Sequence, residues 1–72
     1  MEILLSVEAE NKYYSKELSN TDIRKELINN GFTTIRGENE EVIGFKFEDK
    51  ILKNVGLREH KNCEVYIEIE FE

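Results

Sequence analysis

The residues with most chemistry to offer lie near the C-terminus. His60 and Cys63 stand three positions apart, with Arg58 and Lys61 beside them. A thiol becomes a nucleophile when a nearby base or cation holds it as thiolate, and those neighbours are the right types. Glu64, Glu68, Glu70 and Glu72 follow, and paired carboxylates carry general acid–base chemistry in hydrolases. The spacing argues against both uses. From Cys63 to Glu72 the chain alternates: Cys63, Val65, Ile67, Ile69 and Phe71 fall on one side, and Glu64, Tyr66, Glu68, Glu70 and Glu72 on the other. Alternation with period two, in a run rich in β-branched and aromatic residues, predicts a half-buried strand. Cys63 then sits on the oily side as a small hydrophobe, His60 falls in the loop before it, and the carboxylates face solvent with nothing to tune them for catalysis. No catalytic residue is expected.

Other chemistries lack their residue sets. One histidine and one cysteine do not complete a tetrahedral metal site. Neither glycine-rich phosphate motif occurs, so no metal or cofactor is expected. A net charge of −6 disfavours direct nucleic-acid binding and docking on an anionic membrane. An RNA-reading sheet carries aromatics on its open face; the matching positions here are Leu4, Ser6, Val42, Gly44 and Lys46. A lone cysteine cannot form an internal disulfide, and no apolar run is long enough for a signal peptide or a membrane span, so a reducing, cytoplasmic setting is expected.

The elements that would position the acidic row follow from pattern and punctuation. Residues 2–9 read as a strand, with Ile3, Leu5, Val7 and Ala9 inward and Glu2, Leu4, Ser6 and Glu8 outward. Residues 10–18 read as a long polar connection in which Tyr13 or Tyr14 covers the core edge. A helix is predicted from Asn20 to Asn30. Ser19 and Asp22 have capping-box spacing, Leu18 and Ile23 staple spacing, and Gly31, Phe32 and Leu27 the positions of a Schellman stop. Its buried stripe is Ile23, Leu27 and Ile28. A hairpin follows, with strands 32–36 and 41–48 around the turn 37–40, and Ile43, Phe45 and Phe47 on one face. Residues 49–55 read as a short second helix stopped at Gly56, against a competing strand through Leu52. Residues 57–62 are a loop, and the last strand completes the chain.

This order predicts a single α+β domain over residues 1–72: a small antiparallel sheet with one main helix and a short second one on one face, in the ferredoxin-like βαββαβ order. The alternative is a βαβββ sheet with one helix. Either arrangement sets the first strand beside the last. The open face then gathers Glu2, Leu4, Ser6 and Glu8 with Glu64, Tyr66, Glu68, Glu70 and Glu72. So many like charges on neighbouring strands repel. Solubility and edge protection are one reason to keep them. The functional reason is a partner protein with a basic surface, bound by Leu4 and Tyr66 as apolar anchors within a rim of Glu8, Glu64, Glu68 and Glu70. A second expectation is a homo-oligomer that pairs through the last strand as a sheet edge, or a dimer in which the basic stretch Lys50, Lys53, Arg58 and Lys61 meets the acidic face of another copy.

In size, charge and lack of a catalytic constellation, the chain is similar to the short acidic inhibitors of phages and mobile elements, such as anti-CRISPR and DNA-mimic proteins. That likeness implies a non-enzymatic protein that binds and blocks a nucleic-acid-processing machine. No sequence motif carries it.

Overall fold

The computed structural model describes the whole of Met1–Glu72. Its elements are β1 (Glu2–Leu4), α1 (Val7–Tyr14), α2 (Asn20–Asn29), β2 (Thr33–Arg36), β3 (Val42–Phe47), β4 (Lys50–Glu59) and β5 (Val65–Phe71). The strands form one antiparallel sheet in the order β1-β5-β4-β3-β2. β2 to β5 are a meander, and β1 returns to lie beside β5. The class is α+β, and the first strand lies beside the last, antiparallel, as expected. The strand order differs from the ferredoxin-like one: β1 is an outer strand, both helices fall between β1 and β2, and β5 has a neighbour on each side. β5 is therefore not an edge available for strand pairing. Neither helix is long and apolar enough to cross a membrane.

The N-terminal third departs most from the sequence reading. Strand pairing stops at Leu4, and Ser6 caps a helix where a strand to residue 9 was expected. The Ser6 hydroxyl accepts from the Ala9 N–H at 3.3 Å. Glu8 and Glu10 lie in the first turn and Lys12 in the last, each placed as the helix dipole favours. The supposed polar connection is thus mostly α1. Of its two tyrosines, Tyr13 packs against the core. Glu26 ties the two helices together. Its carboxylate, nearly buried, accepts from the Ser6 hydroxyl at 2.7 Å and lies at the positive end of α1.

α2 begins and ends where the local signals place it. Ser19 and Asp22 form both halves of a capping box. At the other end Gly31 has φ 95; the Phe32 N–H donates to the Leu27 carbonyl at 3.0 Å and the Gly31 N–H to the Ile28 carbonyl at 3.1 Å. Those two bonds make a Schellman motif. Leu18 and Ile23 both pack against the core, as a staple requires. The buried stripe differs from expectation at one position. Ile28 is 50% exposed and Glu26 takes the inward place.

The expected second helix is a strand instead. Phe47 pairs with Lys50 across a two-residue turn, and Glu48 there has φ 56. β4 is ten residues long and runs beside β5 from Leu52 to Glu59. A bulge between Leu52 and Asn54 shifts the register by one. It lets Leu52 and Val55, three apart and therefore helix-like in spacing, occupy one face of a strand. Gly56 is a strand residue and stops no helix.

Nine apolar side chains form the core: Ile3, Leu5, Ala9, Leu27, Phe32, Phe45, Val65, Ile67 and Ile69. Val65 and Ile67 are fully buried, and Ile3 lies opposite Ile67 in the register. β5 is thus the strand on which both helices rest, and the even-numbered side of β5 is the open face. Of the hairpin residues that share a face, Phe45 is buried but Ile43 is 63% exposed. Cys63 is also exposed, against expectation. It has φ 60 in the loop joining β4 to β5, and the strand proper starts at Val65.

Candidate functional site

The register of three strands lays the open face out as a grid. Leu4 lies opposite Tyr66, and Tyr66 opposite Arg58. Glu2 lies opposite Glu68, and Glu68 opposite Gly56. Glu70 lies opposite Asn54. Two glutamates directly across a ladder repel, and Arg58 relieves them. Its Nη1 is 2.8 Å from Glu68 Oε1 and 3.4 Å from Glu2 Oε1. Lys53 Nζ is 3.5 Å from Glu70 Oε1, and Asn54 Nδ2 donates to Glu70 Oε2 at 3.3 Å. Lys53 and Arg58, two of the basic residues expected to meet a second copy, thus answer the acidic row of their own chain. These pairs are exposed, so each is worth about 0–1 kcal/mol. Their effect is to hold the carboxylates in place more than to stabilise the fold.

The upper end of the grid is apolar. Leu4 is 51% exposed. Beside it the Tyr66 ring meets the His60 ring edge-on, with centroids 4.4 Å apart. The Tyr66 hydroxyl donates to Glu64 Oε2 at 2.6 Å. That hydrogen bond to a carboxylate, reinforced by burial, raises the tyrosine pKa above its ordinary value. Glu64 therefore orients Tyr66 as well as adding charge. His60 Nε2 lies 3.7 Å from Glu2 Oε2.

Of the residues expected at the site, Leu4, Glu64, Tyr66, Glu68 and Glu70 come together on this face. Glu8 does not. It sits in the first turn of α1 and pairs with Lys12 at 3.5 Å. Ser6 leaves the face likewise, as the α1 cap. Glu2 and the β4–loop residues Asn54, Arg58 and His60 complete the grid. Arg58 and His60 were missed because residues 49–62 read as helix and loop. The sign reversal after residue 50 was the available signal, since a basic strand beside an acidic one is the favourable cross-strand pairing.

A second polar cluster lies between the helices. Lys12 Nζ is 2.9 Å from Asp22 Oδ1. The Lys12 ammonium and the Ser19 cap hold the Asp22 carboxyl well below the usual carboxylate range, and Asp22 in turn raises Lys12. These charges are consumed in joining α1 to α2. No group of three or more His, Cys, Asp or Glu side chains is arranged to hold a metal ion. Compared with known proteins, the chain matches no family model, no curated protein and no solved structure.

Proposed function

We propose that the protein is a non-enzymatic interaction module that binds a basic protein surface through the open face of its sheet. The observation that carries this reading is Leu4, a half-exposed leucine in register with Tyr66 on an uncovered face, with Glu2, Glu64 and Glu68 around it and Glu70 further along the same face. An apolar anchor inside a charged rim is the usual build of a binding hot spot: the centre is desolvated, and the rim sets approach and orientation. Carboxylates outnumber cations on this face, and the chain carries −6 overall, so its field favours a cationic partner. A partner arginine reaching Glu68 would compete with Arg58 for the same oxygen.

The same charge supports a narrower reading, in which the basic surface is one that ordinarily holds phosphates and the protein inhibits a nucleic-acid-processing machine. Arg58 and Lys53 interrupt the acidic row, so support for that reading comes from net charge and not from a phosphate-like spacing. The test is affinity capture on immobilised wild type beside Leu4→Lys and Glu68→Lys/Glu70→Lys, each shown folded by circular dichroism. The expected result is a basic protein held by wild type, released by salt and lost from both variants. An identical set of captured proteins on all three columns would sink the proposal.

A further inference from the structure

The two edges of β4 are paired unequally. β3 meets it at Ile51 and Lys50, whereas β5 runs beside it from Leu52 to Glu59. Past the bulge, residues 54–59 have β5 on one edge and no strand on the other. All of them are exposed, and no loop or helix backbone group bonds to them. The ladder fixes which groups are free. The His60 N–H donates to the Glu64 carbonyl at 2.9 Å, so in this register Asn54, Gly56 and Arg58 direct their backbone groups at β5. Alternation turns the N–H and C=O of Val55, Leu57 and Glu59 outward. An unpaired edge is a template for another strand, and here Val55 and Leu57 stand 40% and 38% exposed along it.

We infer that this edge pairs with the same edge of a second copy, antiparallel, about a two-fold axis at Gly56. In that register the segment is complementary to itself. Val55 of one copy stands opposite Leu57 of the other, Lys53 opposite Glu59, and Asn54 opposite Arg58. The pairing joins Val55 of each copy to Leu57 of the other, both outward-bonding positions, as the free backbone groups require. Moving the axis by one residue sets Leu57 opposite Lys53 or Val55 opposite Glu59. Gly56 supports the same conclusion. A Cβ built there meets nothing within 4 Å, so packing within one copy does not call for glycine. Glycine within a strand commonly marks the close approach of another backbone. The exposed apolar side chains line a shallow groove with Asn20, Ile23 and Ile67, which the second copy's Val55 and Leu57 would extend into a shared apolar strip.

The experiment uses the full chain and two readouts. Sedimentation over a concentration series gives the mass, and oxidation of Gly56→Cys in a Cys63→Ser background gives the register. Gly56 faces itself as a non-hydrogen-bonded pair, with Cα atoms about 4.5 Å apart, inside disulfide range. The inference predicts a twofold mass, rapid cross-linking of Gly56→Cys, and no cross-linking of Asn54→Cys. It also predicts a monomer for Leu57→Pro, which removes an outward N–H that the single copy does not use. A wild type that stays monomeric to about 1 mM overturns it and leaves the edge to a foreign strand. A dimer whose Gly56→Cys variant fails to cross-link, or whose Asn54→Cys variant links as fast, overturns it as well.

Discussion

Replacing Cys63 with glycine should stabilise the protein. Cys63 is exposed, has φ 60, and closes the short loop between β4 and β5, with its N–H donating to the His60 carbonyl at 3.0 Å. A three-residue hairpin loop ending in the left-handed region is a position glycine fills without steric cost. Holding an L-residue there costs about 1–2 kcal/mol, and the added backbone entropy of glycine returns about 0.5–1 kcal/mol of that. At the middle of those ranges the net gain is about 0.75 kcal/mol. For a domain of this size it appears as a rise of about 3–6 °C in Tm. Nothing else of the residue is lost, because the Tyr14 hydroxyl donates to the Cys63 backbone carbonyl and not to its side chain. Thermal unfolding followed by circular dichroism measures the shift, and Cys63→Ala, which keeps the strained φ, should leave Tm unchanged. A glycine variant no more stable than the alanine one would mean that the left-handed backbone at Cys63 stores no strain.

Three further outcomes are expected. Ser19→Ala removes one half of the α2 capping box and should lower stability by about 1 kcal/mol in urea unfolding. The folded chain holds the Asp22 carboxyl below its ordinary value, so the unfolded chain binds that proton more readily. Its contribution is therefore complete above about pH 4 and is lost as pH falls through the folded-state value. Asp22→Asn should flatten the acid side of the stability profile. Arg58→Glu places a third carboxylate beside Glu2 and Glu68, and its loss of Tm should shrink as salt rises to about 1 M; a salt-independent loss would mean that repulsion is not the cause.

What the sequence disclosed depended on how local each signal was. Both ends of α2 were legible because a capping box and a Schellman stop each lie within a few residues. The inward face of β5 was legible because Val65, Ile67 and Ile69 alternate without interruption. α1 was hidden because Ser6 to Ala9 continues the alternation begun at Ile3, so a short helix with a good cap looked like more strand. β4 was hidden by its own bulge, which gave Leu52 and Val55 a helical interval. The same two features hid the site. Once residues 6–9 were read as strand, Glu8 was placed on the open face. With β4 read as helix and loop, the acidic row had no visible counter-charge, and the role of Arg58 between Glu2 and Glu68 is a product of strand order alone.

The docking claim is tested most directly by mapping the footprint of the captured partner on the isotope-labelled protein through amide chemical shifts. Shifts are expected to concentrate at Leu4, Tyr66, Glu68 and Glu70, with α2 unmoved and Leu4→Lys abolishing them. A footprint centred on the exposed side of α2, around Arg24, Lys25 and Ile28, would contradict it.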